Sequence, residues 1–381
     1  MNRFKMKMVA ALGVALFSLT FTSLKACTII AVGKNASVDG SVFISHTDCG
    51  ADCRIQIIPE AMYKKGAMAN VYWGIQDVTR PLSDMGDILG SIPQSQHTNK
   101  YFHSAYPHIN EYQLAIAEST TSQREELKVD MAVCKQIMTV EQAQVFALQR
   151  CKKSRDAVKL IGDLMSRYGF LPSCVGESET LVIGDTEEIW VIEIFSVGSD
   201  WDPESGKPGA IWVAQRIPDD HALVVANWSI IKEVDEKDTN NFMFSANYKS
   251  FAIEKGWFDP NGTKPFVWQD VYAPMFREWA SSRLWLFYST YAPNYTEWPE
   301  RKLSDGHMMG YNQYIQYIDP PSLYPVSVKP EKKISLQDII AFQRSTFDGT
   351  IYDMTEDYDW YVPDGKGGMK KSPLATPFPS K

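Results

Sequence analysis

The stretch that decides the fold is CTIIAVGKNASVDGSVFISHTD, residues 27–48. Its opening, Thr28-Ile29-Ile30-Ala31-Val32, is β-branched and apolar throughout, the pattern of a strand buried on both faces. Asp39-Gly40 is a strong turn signal and Ser41 to Thr47 alternates into a second strand, so 27–48 reads as a hairpin with a long loop. Along that second strand Val42, Ile44, His46 and Asp48 share one face, and the hairpin returns its end to the neighbourhood of residue 27. Cys27 thus stands at the head of a core strand with no tether in between.

Upstream, residues 1–26 have the layout of an export signal. Arg3, Lys5 and Lys7 precede an apolar run from Met8 to Leu16 that continues thinly to Phe21. The run is too short and too weakly flanked for a membrane span. Leu24 and Ala26 occupy the positions three and one before the cut, where a signal peptidase prefers small residues. Leu24-Lys25-Ala26-Cys27 also half-resembles the box before a lipid-modified bacterial cysteine, so two readings of Cys27 stand side by side. In one its sulfur carries a lipid and the chain is an anchored envelope binding protein; in the other it attacks a carbonyl. A lipid anchor is ordinarily followed by a polar, flexible tether, and residues 28–32 are neither, which favours the second. Either route places the chain in the periplasm, at the envelope or outside the cell.

Removing the leader gives the cysteine a second chemical group. A thiol of pKa about 8.5 then sits beside an α-amine of about 7.7–8.0, so one residue supplies both nucleophile and base. While Cys27 is internal its nitrogen is an amide and is not basic. Asp48 is the natural second member, a carboxylate able to hold the α-ammonium once it has taken the thiol proton; the plain alternative is an ordinary strand-end acid. His46 offers a rival arrangement, a Cys-His pair of the papain-like kind, against the reading of a structural histidine. Asn227 ends a strand and carries an amide suited to a developing oxyanion, although asparagine at a strand end is usually turn chemistry.

The chain has 381 residues, 44% hydrophobic and 12% aromatic, enough after the leader for one large domain, 27–381. Formal net charge is −8; the leader holds four cations (Arg3, Lys5, Lys7, Lys25) and no acid, so the remainder carries −12. That sign disfavours nucleic acid and anionic membrane as partners, and no later segment is apolar enough to span a bilayer. Of the six cysteines, Cys49 with Cys53 and Cys134 with Cys151 are placed for local bridges, while Cys174 is left over. A zinc site at Cys49-x3-Cys53 lacks a second ligand pair, and His97, His103 and His108 lack acids at ligand spacing, so no metal or other cofactor is expected. The glycosylation triplets at Asn35, Asn227, Asn261 and Asn294 read as chance matches behind a bacterial-looking leader.

Further along, residues 54–125 read as β structure with long loops, ending in a strand from Gln113 to Ala117 and a polar run from Glu118 to Thr121. Two helices follow. Thr139 caps one that runs to about Cys151, and Ser154 caps a second that Gly169 stops. Sheet returns as two expected hairpins, Leu181 to Gly184 with Ile189 to Phe195, and Ala210 to Arg216 with Ala222 to Asn227. A helical stretch from Trp268 to about Tyr288, a short helix from Leu336 to Arg344 and a loop-like end from Gly365 complete the chain. Strands, helices, strands, helices imply an α+β fold of two stacked antiparallel sheets with helices on the outer faces.

The run at 27–48 resembles the start of the secreted cysteine-type dipeptidases of the N-terminal nucleophile hydrolase superfamily, more distantly related to bile salt hydrolases and penicillin V acylases. Further matches follow in the family's order: IAESTTSQREEL at 116–127, VGESETLVIGDTEEIWVIEIF at 175–195, VVANWS at 224–229, SSRLW at 281–285 and FDGTIYDMT at 347–355. The resemblance implies a four-layer αββα sandwich, a cysteine nucleophile released by removal of the leader, and hydrolysis of dipeptides or similar short amides without a cofactor. It makes Cys27 the nucleophile, Asp48 the acid that holds its amine, Asn227 the oxyanion-side asparagine and Arg283 the arginine that orders the site. Glu118, in the ESTT segment, is expected with His46 on the substrate side, where an acid meets a dipeptide's ammonium. Two departures stand out. Relatives commonly carry an arginine where this chain has Ser45, and they continue beyond the YD-T segment whereas this sequence stops at SPLATPFPSK, so a C-terminally truncated copy of the fold is expected.

Overall fold

The computed structural model describes residues 27–47, 54–74, 86–104, 106–174, 176–274, 278–293, 324–349 and 360–374. The leader, Asp48, Cys49 and Cys53 lie outside the described residues.

Among the described residues, two antiparallel sheets carry the fold. The smaller has three strands in the order Ala222–Val225, Thr28–Val32, Phe43–Thr47. The larger has eight, in the order Phe242–Phe244, Ile211–Ile217, Ile189–Phe195, Ser178–Gly184, Ala115–Thr121, Pro107–Asn110, Tyr101–His103, Gln56–Ile58. The hairpin read from residues 27–48 is present, with Ile29 opposite His46 and Ile30 opposite Ser45.

Alternation along the first strand separates two cores, as the two-residue period requires. Ile29 and Ala31 pack between the sheets with Val182, Val191 and Val213 of the larger one. Ile30 and Val32 pack outward with Leu284, Phe287, Ile339 and Phe342, from the helices Glu278–Tyr291 and Leu336–Gln343. On the far side of the larger sheet, Leu181, Ile183, Ile192 and Ile194 pack with Val145, Phe146, Ile161 and Leu164 of the helices Val140–Arg150 and Ser154–Tyr168. The layers are therefore helix, sheet, sheet, helix: the expected αββα sandwich. All five residues of Thr28–Val32 are buried, as a strand covered on both faces must be.

Local signals held where they were strongest. The Thr139 hydroxyl accepts from the Gln142 N–H at the start of its helix, and Gly169, at φ 75°, ends the next one in a backbone region that favours glycine. Ser335 and Asp338 form a reciprocal capping box that starts the Leu336–Gln343 helix. Six expectations need correction. Ser154 does not cap its helix: Lys153 is the N-cap residue, and the Ser154 N–H and hydroxyl both donate to the Asp185 carboxylate. The second hairpin does not close, because both edges of Ile211–Ile217 are taken by Ile189–Phe195 and Phe242–Phe244, and Ala222–Val225, apolar and buried throughout, joins Thr28–Val32 instead. The run from Glu118 to Thr121 continues the strand rather than ending it. The aromatic-rich stretch contains two helices, Trp268–Tyr272 and Glu278–Tyr291. Tyr361–Pro363 pairs with Met369–Lys371 where loop was expected. Cys134 and Cys151 remain thiols: Cys151 follows its helix into the buried helix-side core, while Cys134 sits part-exposed in a turn.

One position tests how closely the helix layer approaches the larger sheet. Gly162 lies over the Trp212 indole, so a Cβ there would enter the ring, and that ring is tethered by a 2.9 Å bond from its Nε1–H to Ser166 Oγ. Gly162→Ala is expected to destabilise the protein by about 1–3 kcal/mol despite alanine's better helix propensity. Urea unfolding measures this, and a stabilised variant would contradict the close approach.

Candidate active site

The thiol of Cys27 is 2% exposed, at the head of the central strand of the smaller sheet. Its Sγ, a ring nitrogen of half-buried His46 and a carboxylate oxygen of Glu118 all lie within 4.8 Å of one another. His46 comes from the neighbouring strand, and its ring meets the rings of Tyr106 at 5.9 Å and His108 at 6.3 Å edge to face. Glu118 comes from the larger sheet, so the group joins the two sheets. Among the described residues, the ladder between Ala115–Thr121 and Pro107–Asn110 is limited to Ala115 opposite Ile109. Past that pair the strand's edge opens, and Glu118 lies on the opened part.

Arg283 fixes the other side of Cys27. Its guanidinium is 2% exposed and donates to the Cys27 carbonyl (2.6 Å), the Thr28 hydroxyl (2.8 Å), the Ala226 carbonyl (3.0 Å) and Asn227 Oδ1 (2.9 Å). Asn227 has a left-handed backbone, φ 58°, which asparagine tolerates better than most residues. Its N–H donates to Ser119 Oγ (3.0 Å) and its side-chain amide to the Thr120 carbonyl (2.9 Å). The turn after it is held by Glu193, whose fully buried carboxylate accepts from the Ser229 hydroxyl, the Ile230 N–H (2.6 Å), the Ile231 N–H (3.1 Å) and Trp268 Nε1–H (2.7 Å). The reading of Asn227 as turn chemistry is correct, and the turn it makes abuts Cys27 through Arg283.

Behind Glu118 lies a buried polar cluster that sequence reasoning did not single out. The Ser173 hydroxyl is 3.4 Å from Glu118 Oε1 and 2.6 Å from Glu179 Oε1, which also accepts the Ser173 N–H at 2.9 Å. Thr120 Oγ1 stands 3.3 Å from Glu118 Oε1 and 3.4 Å from Cys174 Sγ. Burial raises the pKa of Glu179, against the opposing effect of its hydrogen bonds to Glu118 and Ser173. Withdrawn from water in this way, Glu179 favours its protonated form. The sequence signal for this cluster was the register of two strands, Thr120 opposite Glu179, which becomes visible only once the strands are paired.

Four other expectations can be placed. Ser45 accepts from Gln343 Nε2 at 3.1 Å, and its neighbours Phe43 and Ile30 belong to the outer core, so position 45 faces the helix layer. Asp48 is outside the described residues. His97 pairs with Glu60 at the surface (3.3 Å), and His108 meets the Ser104 hydroxyl (2.7 Å). Burial, helped by the charge of His108, lowers the pKa of His103 to about 4. Among the described residues, the side chains close enough together to hold a metal are Cys27, His46 and Glu118, not that histidine cluster.

Two measurements follow from this geometry. Arg283→Met leaves four buried acceptors without their donor and is expected to cost about 3 kcal/mol or more in urea unfolding, and wild-type stability would remove the clamp. Glu179 binds its proton more tightly folded than unfolded, so its contribution is fully present below the ordinary carboxylate pKa and is lost as pH rises through the folded value. Glu179→Gln removes that loss. The melting temperature of the variant relative to wild type should therefore rise between about pH 4 and pH 7; a difference that does not change with pH would mean Glu179 is ionised in the fold.

Residues 26–363 match the family model described as Peptidase family C69. A "Probable dipeptidase" of Latilactobacillus sakei is 26% identical over 339 residues, covering 87% of this chain and 62% of its own length. A "Probable dipeptidase" of Salmonella dublin is 24% identical, covering 86% of this chain and 68% of its own length. A "Dipeptidase" of Bifidobacterium longum (strain NCC 2705) is 24% identical over 351 residues, 86% of this chain and 60% of its own. The chain thus spans about three-fifths to two-thirds of the length of these relatives. With a match that begins one residue before Cys27 and takes in Glu118, Asn227 and Arg283, the chain belongs to peptidase family C69.

Proposed function

We propose that the chain is an exported cysteine peptidase that hydrolyses dipeptides, with Cys27 as an N-terminal nucleophile created by removal of residues 1–26. The observation that carries this reading is the setting of Cys27: a buried thiol at the head of a core strand, its own carbonyl held by Arg283 and its sulfur within 4.8 Å of an imidazole and a carboxylate. The dipeptidase names of the relatives supply the substrate class.

In this mechanism the α-amine of Cys27 takes the thiol proton and the thiolate attacks the peptide carbonyl carbon. The tetrahedral oxyanion collapses, the proton passes to the leaving amine, and a thioester remains on Cys27 until water, deprotonated by the same amine, releases the second amino acid. Asn227, tied to Cys27 through Arg283, takes the oxyanion role, and Asp48 takes the ammonium role. Arg283 acts on the chemistry through the Cys27 carbonyl and Asn227, as a positioning residue. Glu118, beside a Glu179 carboxyl whose burial favours its protonated form, supplies the negative charge for the substrate's ammonium.

The placement of His46 beside Cys27 favours a second reading of the base, in which the imidazole rather than the α-amine accepts the thiol proton. Chains beginning at Cys27 and at an added residue before it separate the two: the α-amine mechanism requires the added residue to abolish turnover, and the imidazole mechanism requires His46→Ala to abolish it while the added residue is tolerated.

N-terminal sequencing and intact mass of the exported protein should give Cys27 as first residue, unacylated; a diacylglyceryl adduct would replace this reading with the lipid-anchored one. Cys27→Ala should reduce release of amino acids from a dipeptide panel to background. N-acetylated dipeptides should be poorer substrates than unmodified ones by about 10- to 100-fold in kcat/KM, the worth of a hydrogen-bonded charge pair, with the difference much reduced in Glu118→Gln. Equal turnover of both substrate types by wild type would indicate a general amidase of the bile salt or penicillin V acylase kind.

A further inference from the structure

The group Cys27, His46 and Glu118 has a property that peptide hydrolysis does not use. A thiol, an imidazole and a carboxylate, from three different strands, converge within 4.8 Å. Sulfur, nitrogen and oxygen donors in this combination are the ligand types that divalent zinc accepts, at about 2.0–2.3 Å each. In a tetrahedral site of that size neighbouring donors stand roughly 3.3–3.7 Å apart, so the group must contract by on the order of 1 Å to close on an ion. His46 is half-buried, which gives the ion a way in, while Cys27 and Glu118 are almost wholly withdrawn from solvent.

We infer that Cys27, His46 and Glu118 form a binding site for a thiophilic divalent cation of the zinc class, and that occupancy switches off the thiol chemistry. As the sulfur, nitrogen and oxygen donors bind, the ion gives up bound waters to solvent, the thiol proton leaves to solvent, and the ion keeps its oxidation state. A metal-bound thiolate has its lone pair engaged and cannot attack a carbonyl, and Glu118 is no longer available to an ammonium. The dication also compensates the negative charge of a buried thiolate and a buried carboxylate, which favours its retention. The inhibitory half rests on the function proposed above. When Cys27 is the first residue, its α-amine adds a fourth donor through a five-membered chelate with the sulfur, closing the site and removing the base together. The binding half stands on the three side chains alone.

Cobalt(II) tests binding without reference to activity, because a thiolate bound to it gives a charge-transfer absorption that the aqueous ion lacks. Titrating the metal-free protein with Co2+ should produce that band at one equivalent, and Zn2+ should bleach it. Cys27→Ser should lose the band while Cys174→Ser, whose sulfur meets the Thr120 and Ser173 hydroxyls that lie against Glu118, keeps it. His46→Ala and Glu118→Gln should each weaken Zn2+ binding at least about tenfold in a competition titration. A band that survives in Cys27→Ser, or that disappears in Cys174→Ser, overturns the assignment, as does unchanged Zn2+ affinity in His46→Ala. Circular dichroism melts of each variant separate ligand loss from misfolding, and Glu118→Gln, which keeps the side chain's shape, is the variant that stays informative if the others unfold. In the dipeptide assay, Zn2+ near stoichiometric concentration should abolish turnover and EDTA restore it. Cobalt binding at Cys27 in a protein that cleaves no dipeptide would refute the proposed function and leave the metal site standing; full turnover by the zinc-loaded protein would refute the switch.

Discussion

One guanidinium holds the site in place. Arg283 donates to the carbonyls of Cys27 and Ala226, and these belong to the residues just beyond the last registered pair of the ladder, Ile29 opposite Val225. A sheet that stops there leaves backbone oxygens that need donors, and a planar guanidinium with five N–H groups can serve two strands at once where a lysine ammonium offers a single point. Burying such a charge is costly unless it is fully hydrogen-bonded, and the four acceptors supplied by Cys27, Thr28, Ala226 and Asn227 offset that cost. The clamp thereby ties the position of a helix, Glu278–Tyr291, to the position of the thiol.

The larger sheet completes what the clamp begins. Asn227 keeps its left-handed backbone because Ser119 and Thr120 hold it on one side and Arg283 on another, and because the residues after it are fixed by Glu193. Glu193 lies on the strand Ile189–Phe195 and reaches the turn after Asn227, while Glu118 lies on Ala115–Thr121 and reaches Cys27. Glu193 thus spends its hydrogen bonds on the turn that follows the smaller sheet's last strand, while Glu118 stands near the thiol and is held by Thr120 and Ser173. The two sheets are joined by apolar packing over most of their area and by these polar contacts at the site.

Reading the sequence recovered what nearest neighbours determine. Thr28–Val32 is β-branched and apolar, Asp39-Gly40 turns, Thr139 caps, Gly169 stops a helix, and each of these depends on residues a few positions apart. The four-layer arrangement followed because strands and helices alternate in blocks. What the sequence concealed depends on distant partners. Ala222–Val225 looks like the return arm of a hairpin until one sees that both edges of Ile211–Ile217 are occupied. Glu118-Ser119-Thr120-Thr121 looks like surface because it is polar, yet all four are buried, their polar groups matched to Asn227, Thr180, Ser173 and each other. Of the site, Cys27, Asn227 and Arg283 were legible through family resemblance, and His46 and Glu118 as weaker candidates. Ser173 and Glu179 were not, since a serine and a glutamate in a strand-rich stretch carry no periodicity that marks them.

The charge of the pocket decides what it admits. An ionised Glu118 would place one negative charge within 4.8 Å of the Cys27 sulfur, while burial holds the neighbouring Glu179 carboxyl above the ordinary carboxylate range. An ammonium and a divalent cation are both drawn to that charge, but they engage different atoms. An ammonium is a hydrogen-bond donor that the carboxylate alone can satisfy, so in the proposed reaction it would leave the sulfur bare. A zinc-class ion is a Lewis acid whose strongest partner is the sulfur itself, with His46 and Glu118 as supporting ligands. On the proposed function, the same three side chains would serve turnover with one kind of cation and arrest with the other, and the contacts of the His46 ring with Tyr106 and His108 bear on the second, since a metal would draw the imidazole inward.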